Sequence, residues 1–102
     1  MKQLVVTAEA RSDLKEIDRY SRQTWGIERT RIYVGTIVET FADLMTNNRR
    51  GRPVDEFGVG MRRTNVRQHA IYYFLRGERV VVARVLHQRM NVTLAMFKPD
   101  EM

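Results

Sequence analysis

The segment Arg84–Val92 (R-V-L-H-Q-R-M-N-V) sets an imidazole, two guanidiniums and an amide just where the strand-like run Val80–Val85 should surface. His87 can exchange a proton near neutral pH, and Arg84 and Arg89 carry planar forks suited to phosphate or carboxylate. A second imidazole, His69, opens the apolar run H-A-I-Y-Y-F-L. A lone histidine at a strand start reads first as a hydrogen-bonded structural residue. A further basic group, Arg62, Arg63 and Arg67, lies on a polar stretch where Arg63, Asn65 and Arg67 share one face by the strand period of two. No acidic residue stands close to them in sequence, so the stripe could meet phosphates or acidic side chains, or simply remain solvated. Tyr72 and Tyr73 must point to opposite faces; core packing is expected for them, with stacking on a partner open for one.

These groups need a scaffold, and the pattern of apolar residues supplies one. Leu4-Val5-Val6 is a short β-prone run. Thr7 can cap a helix whose stripe is Ala10, Leu14, Ile17, Ser21 and Trp25, ending at Gly26. A second helix is expected from Glu28 to Thr46, with Val34, Ile37, Val38, Phe41, Leu44 and Met45 inward. Tyr20, Ile27, Ile32 and Tyr33 do not all fit the inward stripes and suggest an apolar strip on the outside of the helical hairpin. Arg49–Gly60 reads as a loop. Three strands follow: Met61–Gln68, His69–Leu75 and Arg79–Leu86, the last two joined at Arg76-Gly77-Glu78. The tail from Met90 to Met102 is too apolar to be free, and its periodicity does not choose between helix and strand. The order β-α-α-β-β-β makes an α+β domain spanning residues 1–102.

A chain of 102 residues allows one domain with one modest core. It has no apolar run near the ~20 residues of a membrane span, and Met1–Thr7 is too short an apolar start for a signal peptide. The expectation is therefore a cytoplasmic protein away from membranes. Zero cysteines exclude disulfides and thiolate metal sites. No phosphate-binding loop, nucleophile elbow, zinc spacing or dinucleotide fingerprint occurs, so no metal or cofactor is expected. The net charge of +6 is uneven: residues 1–48 carry seven bases and seven acids, residues 49–102 eleven bases and five acids. That excess, nearly all arginine, points to nucleic acid or an acidic protein surface.

Several of these fragments occur together in one order. They are Trp25-Gly26 closing the first helix, G-R-P at Gly51–Pro53, G-M-R-R at Gly60–Arg63, H-x-I-x-Y at His69, Ile71 and Tyr73, and R-V-L-H-x-R-M from Arg84 to Met90. In this order and spacing the chain resembles the ParE branch of the ParE/RelE superfamily, the toxins of bacterial toxin–antitoxin pairs. The resemblance implies a helical hairpin packed on one face of a small, mainly antiparallel sheet. It also implies inhibition of DNA gyrase by binding, and neutralisation by a cognate ParD-like antitoxin. The resulting hetero-oligomer would bind operator DNA through the antitoxin.

On this reading Arg62, Arg63, Arg67, His87, Arg89 and Met90 engage the target. Tyr20, Ile27, Ile32, Tyr33, Arg63 and Arg67 meet the antitoxin. No catalytic residue is expected. Nuclease members with a histidine at this place carry an arginine in the central strand and a tyrosine after the histidine, where this chain has His69 and Gln88. The alternative, a ribosome-dependent mRNA interferase, would rest on His87, Arg84 and Arg63. A third possibility is a non-toxic module that only binds an antitoxin.

Overall fold

One sheet carries two cores, one on each face. In a computed structural model, residues 2–97 are described. The order is β1 (Gln3–Val6), α1 (Ala8–Trp25), α2 (Ile27–Thr46), β2 (Arg52–Pro53), β3 (Arg62–Val66), β4 (His69–Arg76) and β5 (Arg79–His87), with 3-10 turns at Asp55–Phe57 and Leu94–Met96. The five strands lie in the order β1-β5-β4-β3-β2. β1 runs parallel to β5, and the other neighbours are antiparallel.

Thr7 joins the first strand to the first helix. Its Oγ1 accepts from the Ala10 N–H at 3.1 Å, capping α1, and donates to the Ala83 carbonyl at 2.9 Å. The same residue thus starts the helix and ties that start to β5. Gly26 separates the helices at φ +88°, and its N–H bonds Arg22 O at 3.0 Å. A left-handed turn of this kind suits glycine. Trp25-Gly26 is therefore the corner of the hairpin.

The helix-facing core joins Ala10, Ile17, Tyr33, Ile37, Phe41 and Leu44 to Ile71, Tyr73, Val80, Val82 and Val85. The buried face of α2 differs from the apolar pattern. Its buried residues are Thr30, Tyr33, Ile37, Thr40, Phe41 and Leu44, while Val38 is exposed. Tyr33 consequently does not belong to the outer apolar strip. The reason is polar satisfaction. Thr30 and Thr40 donate to Gly26 O and Thr36 O one turn back, and Tyr33 finds partners across the sheet. Buried polar groups with partners are tolerated in a core.

On the other face, Val54, Met61, Ala70, Tyr72 and Leu86 form a second core with Phe57, Phe74, Val92, Met96 and Phe97 against it. Irregular chain, not helix, covers this side. The loop after α2 and the tail supply the cover, which explains why β4 is apolar on both faces. The tail is neither helix nor strand but a 3-10 turn in extended chain, packed on its own sheet; residues 98–102 lie outside the described part.

Two boundaries differ from the sequence pattern. The loop contains a strand of 2 residues, Arg52–Pro53, paired with Arg63 and Arg62. Proline suits that place because β2 is a sheet edge. β3 stops at Val66, and Arg67-Gln68 makes the hairpin turn with Arg67 at φ +55°. A two-residue hairpin turn needs such left-handed backbone. Arg67 therefore leaves the face it was expected to share with Arg63 and Asn65.

Candidate interaction surfaces

The β3–β4 turn and the end of β5 meet at one end of the sheet. The Gln88 N–H donates to Gln68 O at 2.9 Å, and the Gln88 side-chain amide donates to Arg67 O. Past β5 the chain curls tightly: the Arg89 N–H donates to His87 Nδ1 at 3.1 Å, and the Met90 N–H to His87 O at 3.0 Å. Arg67, His87, Arg89 and Met90, four of the six expected target-binding residues, are thereby gathered together. Arg67, Arg89 and Met90 are exposed, and His87 is half-buried.

Beneath them runs an aromatic relay. The His87 ring meets His69 edge-to-face with centroids 5.3 Å apart, His69 meets Tyr33 at 5.6 Å, and Tyr33 meets Trp25 at 5.7 Å. Tyr33 Oη lies 2.6 Å from His69 Nδ1 and accepts from the Gln68 N–H at 3.3 Å. The phenol and the imidazole thus share one hydrogen bond in a part-buried position. Burial, and next the neighbouring His87, lowers the His69 pKa from 6.5 to about 4, with a smaller opposing effect from Asp13. Burial pushes the Tyr33 phenol upward. His69 therefore holds the structural place its position suggests.

A consequence for stability follows from the sign. The folded pKa of His69 lies below its unfolded value, so neutral His69 contributes stability above pH 6.5 that is lost as pH falls towards about 4. The urea midpoint is expected to drop across that interval in the natural chain. It should drop less in His69→Gln, which keeps a hydrogen-bonding partner for the Tyr33 hydroxyl and has no proton to gain. Equal pH profiles for the two proteins would contradict this assignment.

Arg62 and Arg63 are placed elsewhere. Arg62 turns back to the loop after α2: its Nε donates to Gly51 O at 3.1 Å and its Nη2 to Arg49 O at 3.3 Å. Tyr73 completes the clamp, accepting the Gly51 N–H at 2.9 Å and donating to Asn48 O at 3.0 Å. Arg62 is thus a structural residue that fastens the G-R-P segment. Arg63 lies on the helix-free face, its guanidinium 5.5 Å above the Tyr72 ring and 3.2 Å from Tyr72 Oη, with Nε donating to Asn65 Oδ1 at 3.2 Å. Arg52, Arg63, Tyr72 and Arg84 fall in one cross-strand row.

Arg84 is occupied. Its Nε and Nη2 grip the Asp13 carboxylate at 2.8 Å each, and its Nη1 donates to Met96 O at 2.7 Å. The hydrogen bond that Arg84 donates to Asp13 raises the Arg84 pKa further. Asp13 also accepts the Val85 N–H at 2.9 Å, beyond the point where β1 stops pairing with β5. The three groups of the nuclease alternative do not share one face: Arg63 and Arg84 flank Tyr72 in that row, while His87 pairs with His69 on the other face. Arg84 is neutralised, Arg63 bonds Tyr72 on the helix-free face, and His87 stacks towards the helices.

Two concave surfaces stand out among the described residues. On the helix-free face a groove of about 800 Å³ runs over Val5, Val81, Ala83 and Phe74 between Phe57 and Phe97, with Arg79 and Arg84 at its border. On the helical side a cavity of about 320 Å³ is lined by Trp25, Arg29, Ile32, Tyr33, Arg67 and Gln68. Beside it the outer face of the hairpin exposes Tyr20, Ile27 and Ile32 at 59%, 63% and 66%. Of the residues around this cavity, the sequence pattern marks Ile32, Tyr33 and Arg67; Trp25 continues the inward stripe of α1 and packs partly on the core, and no local pattern marks Arg29 among its charged neighbours.

The family model described as the ParE toxin of the type II toxin–antitoxin system, parDE, matches residues 4–92. The toxin ParE1 of Caulobacter vibrioides is 34% identical over 91 residues, covering 89% of this chain and 94% of that protein. The toxin ParE of Escherichia coli is 30% identical over 89 residues, 86% of this chain and 86% of its own. A solved structure of the chromosomal ParDE TA system from P. aeruginosa shares the fold at a TM-score of 0.75, with 24% identity over 85% of this chain and 96% of that chain. The match over residues 4–92, the relatives at 30% identity or more and the shared fold agree: this chain belongs to the ParE toxin family of type II toxin–antitoxin systems.

Proposed function

We propose that the chain is a cytoplasmic toxin that inhibits DNA gyrase by binding it, and that a ParD-like antitoxin holds it in check. The observation that carries the binding reading is that His87 lies on the opposite sheet face from Arg63 and Arg84, with Arg84 already held by Asp13, set against the gathering of Arg67, His87, Arg89 and Met90 at one exposed end of the sheet. Cleavage of RNA needs a base, an acid and cations converging on one phosphate. A binding surface needs only exposed cations and apolar anchors on a rigid support. The antitoxin uses the outer strip of the hairpin, where Tyr20, Ile27 and Ile32 are anchors for a segment that folds on binding. The two proteins form a hetero-oligomer that reaches operator DNA through the antitoxin.

The test is supercoiling of relaxed plasmid by gyrase, titrated with the purified chain, with linear DNA quantified. The expected result is loss of supercoiling together with accumulated cleaved DNA. Arg67→Glu/Arg89→Glu is expected to raise the concentration needed by about tenfold or more, since charge reversal on an exposed site weakens association. No effect of the folded chain at several-fold molar excess over gyrase would overturn the gyrase reading. Cleavage of ribosome-bound mRNA that is abolished by His87→Ala would establish the nuclease alternative instead. Inactivity in both assays with retained antitoxin binding would leave the antitoxin-buffering module.

A further inference from the structure

The cavity at the open corner of the helical hairpin has a chemistry of its own. Trp25 and Arg29 come from the corner and first turn of α2, Ile32 and Tyr33 from its next turn, and Arg67 and Gln68 from the β3–β4 turn. The Arg29 guanidinium lies 5.6 Å over the Trp25 ring. Arg67 faces the cavity from the other side, close enough for its charge to bear on the Tyr33 phenol. Among the described residues neither arginine has an acidic partner. This sets them apart from their neighbours on the hairpin, because Arg19, Arg22 and Arg31 each pair with an acid of their own helix, Glu16, Asp18 and Glu28. The cap of α2, Gly26, brings no side-chain acceptor, so the positive end of that helix adds to the same region.

Arg67 is also held where it is at a cost. It takes a left-handed backbone, φ +55°, without being glycine, asparagine or aspartate. Three bonds hold the turn. Gln88 donates its backbone N–H to Gln68 O and its side-chain amide to Arg67 O, and the Gln68 N–H donates to Tyr33 Oη. A glycine would satisfy the turn without strain. The turn instead spends an arginine there, and its guanidinium ends beside a tryptophan–tyrosine wall. Strain kept at an exposed polar position, braced from several sides, points to a use for that side chain.

We propose that this cavity is a carboxylate-binding site that receives an acidic side chain from an amphipathic partner segment, while an apolar residue of that segment packs on the exposed Ile32 at its edge. The occupant follows from the two halves of the surface. Two unneutralised guanidiniums call for an anion. A volume of about 320 Å³ holds one or two side chains rather than a folded surface. Ile32 at the cavity edge is apolar and exposed, and Arg22 and Arg31 of the same hairpin are already paired, so they offer no track of free cations to a nucleic-acid backbone. An acidic residue within an otherwise apolar helical or extended peptide matches both halves. The proposal rests on the antitoxin-docking reading of the hairpin and adds the chemistry by which that face would choose its partner. A partner with an amide or apolar residue at that place would leave two arginines half desolvated and unpaired, which disfavours it.

The full chain offers its own reporter, because Trp25 is its only tryptophan. The probes are two synthetic amphipathic peptides, identical except that one carries glutamates where its twin carries glutamines. Binding is followed by the Trp25 indole N–H resonance and by fluorescence. The expected result is a movement of the indole signal with affinity for the glutamate peptide about tenfold or more above that of its twin. This difference should vanish in Arg29→Gln/Arg67→Gln, whereas Ile32→Glu should weaken both peptides. Backbone resonances in the same spectra report whether each variant is folded. Equal affinity of the twins, or a difference that survives in the double arginine variant, would overturn the proposal. So would an indole signal moved by inorganic phosphate alone and untouched by the glutamate peptide. Failure of the antitoxin reading looks different. There the glutamate preference persists, while co-purification of the co-expressed antitoxin is indifferent to both Ile32→Glu and the arginine pair.

Discussion

Replacing Gly51 by alanine is expected to destabilise the protein by about 3 kcal/mol, at the top of the range for overpacking. A Cβ at Gly51 would stand 2.5 Å from the Arg63 carbonyl oxygen, 2.7 Å from its carbonyl carbon and 3.0 Å from Tyr73 Oη. The first two are backbone atoms of β3 and cannot rotate away. The loop would have to move, and with it three sets of bonds. These are the Gly51 N–H to Tyr73, the Arg62 guanidinium to Gly51 O and Arg49 O, and the pairing of Arg52 with Arg63. Since Val54 and Phe57 follow directly and form part of the second core, the damage extends to the cover of the helix-free face. Urea unfolding of Gly51→Ala beside the natural chain measures the loss. Gly35→Ala is the control, because a Cβ there meets nothing within 4 Å and favours the helix by about 1 kcal/mol. A Gly51→Ala protein as stable as the natural chain would show that the loop packs less closely on β3 than described.

Asp13→Ala is expected to cost about 3 kcal/mol or more, because removing one partner strands the other. The Asp13 and Arg84 side chains are only 12% and 22% exposed, so water does little to screen the pair or to replace it. Three groups lose their partner at once: the two guanidinium nitrogens of Arg84 and the N–H of Val85. The effect reaches beyond stability. Arg84 also holds Met96 O, so a guanidinium released from Asp13 no longer fixes the tail over Tyr72 and Phe57. Faster tryptic cleavage after Arg89 is expected in the variant under native conditions, and hydrogen exchange should rise first between residues 92 and 97. Asp13→Ala/Arg84→Met separates the charge from the packing. The double variant should recover much of the lost stability, as replacing both members of a buried pair by apolar groups is often close to neutral. A double variant no better than Asp13→Ala would mean that the carboxylate works mainly through the Val85 N–H.

Both variants concern residues whose local sequence says little. Gly51 stands in a loop with other glycines and a proline, and nothing near it announces contact with β3, which starts at Arg62. Asp13 resembles any acid in the first half of a helix, and its partner Arg84 is 71 residues away. Arg84 shows the same limit from the other side. In its own segment it belongs to the basic group with His87 and Arg89, yet the register of β5 against β1 and α1 gives it to Asp13. Tyr33 is the instructive case among the expected antitoxin contacts. The apolar pattern of α2 left it outside, while the fold buries it because His69 and Gln68 offer its hydroxyl two partners.

What the sequence determined by itself was the two helices, the four longer strands and their order. Periods of 3.6 and 2, a threonine cap and glycine corners are local properties, and local sterics and local burial decide them. Through its motifs it also determined the family. It left open which arginines are free. Charge and spacing are the same for an arginine that waits for a partner and for one that already has it. Arg62, Arg63, Arg67 and Arg84 lie within 23 residues of one another, and the tertiary structure gives them four different surroundings: loop carbonyls, a tyrosine, an open cavity and a buried carboxylate. The conformation of the tail was decided in the same way, by an apolar sheet face that no helix covers. Partners separated by tens of residues meet only through strand register and layer packing, and neither is written in any short stretch of chain.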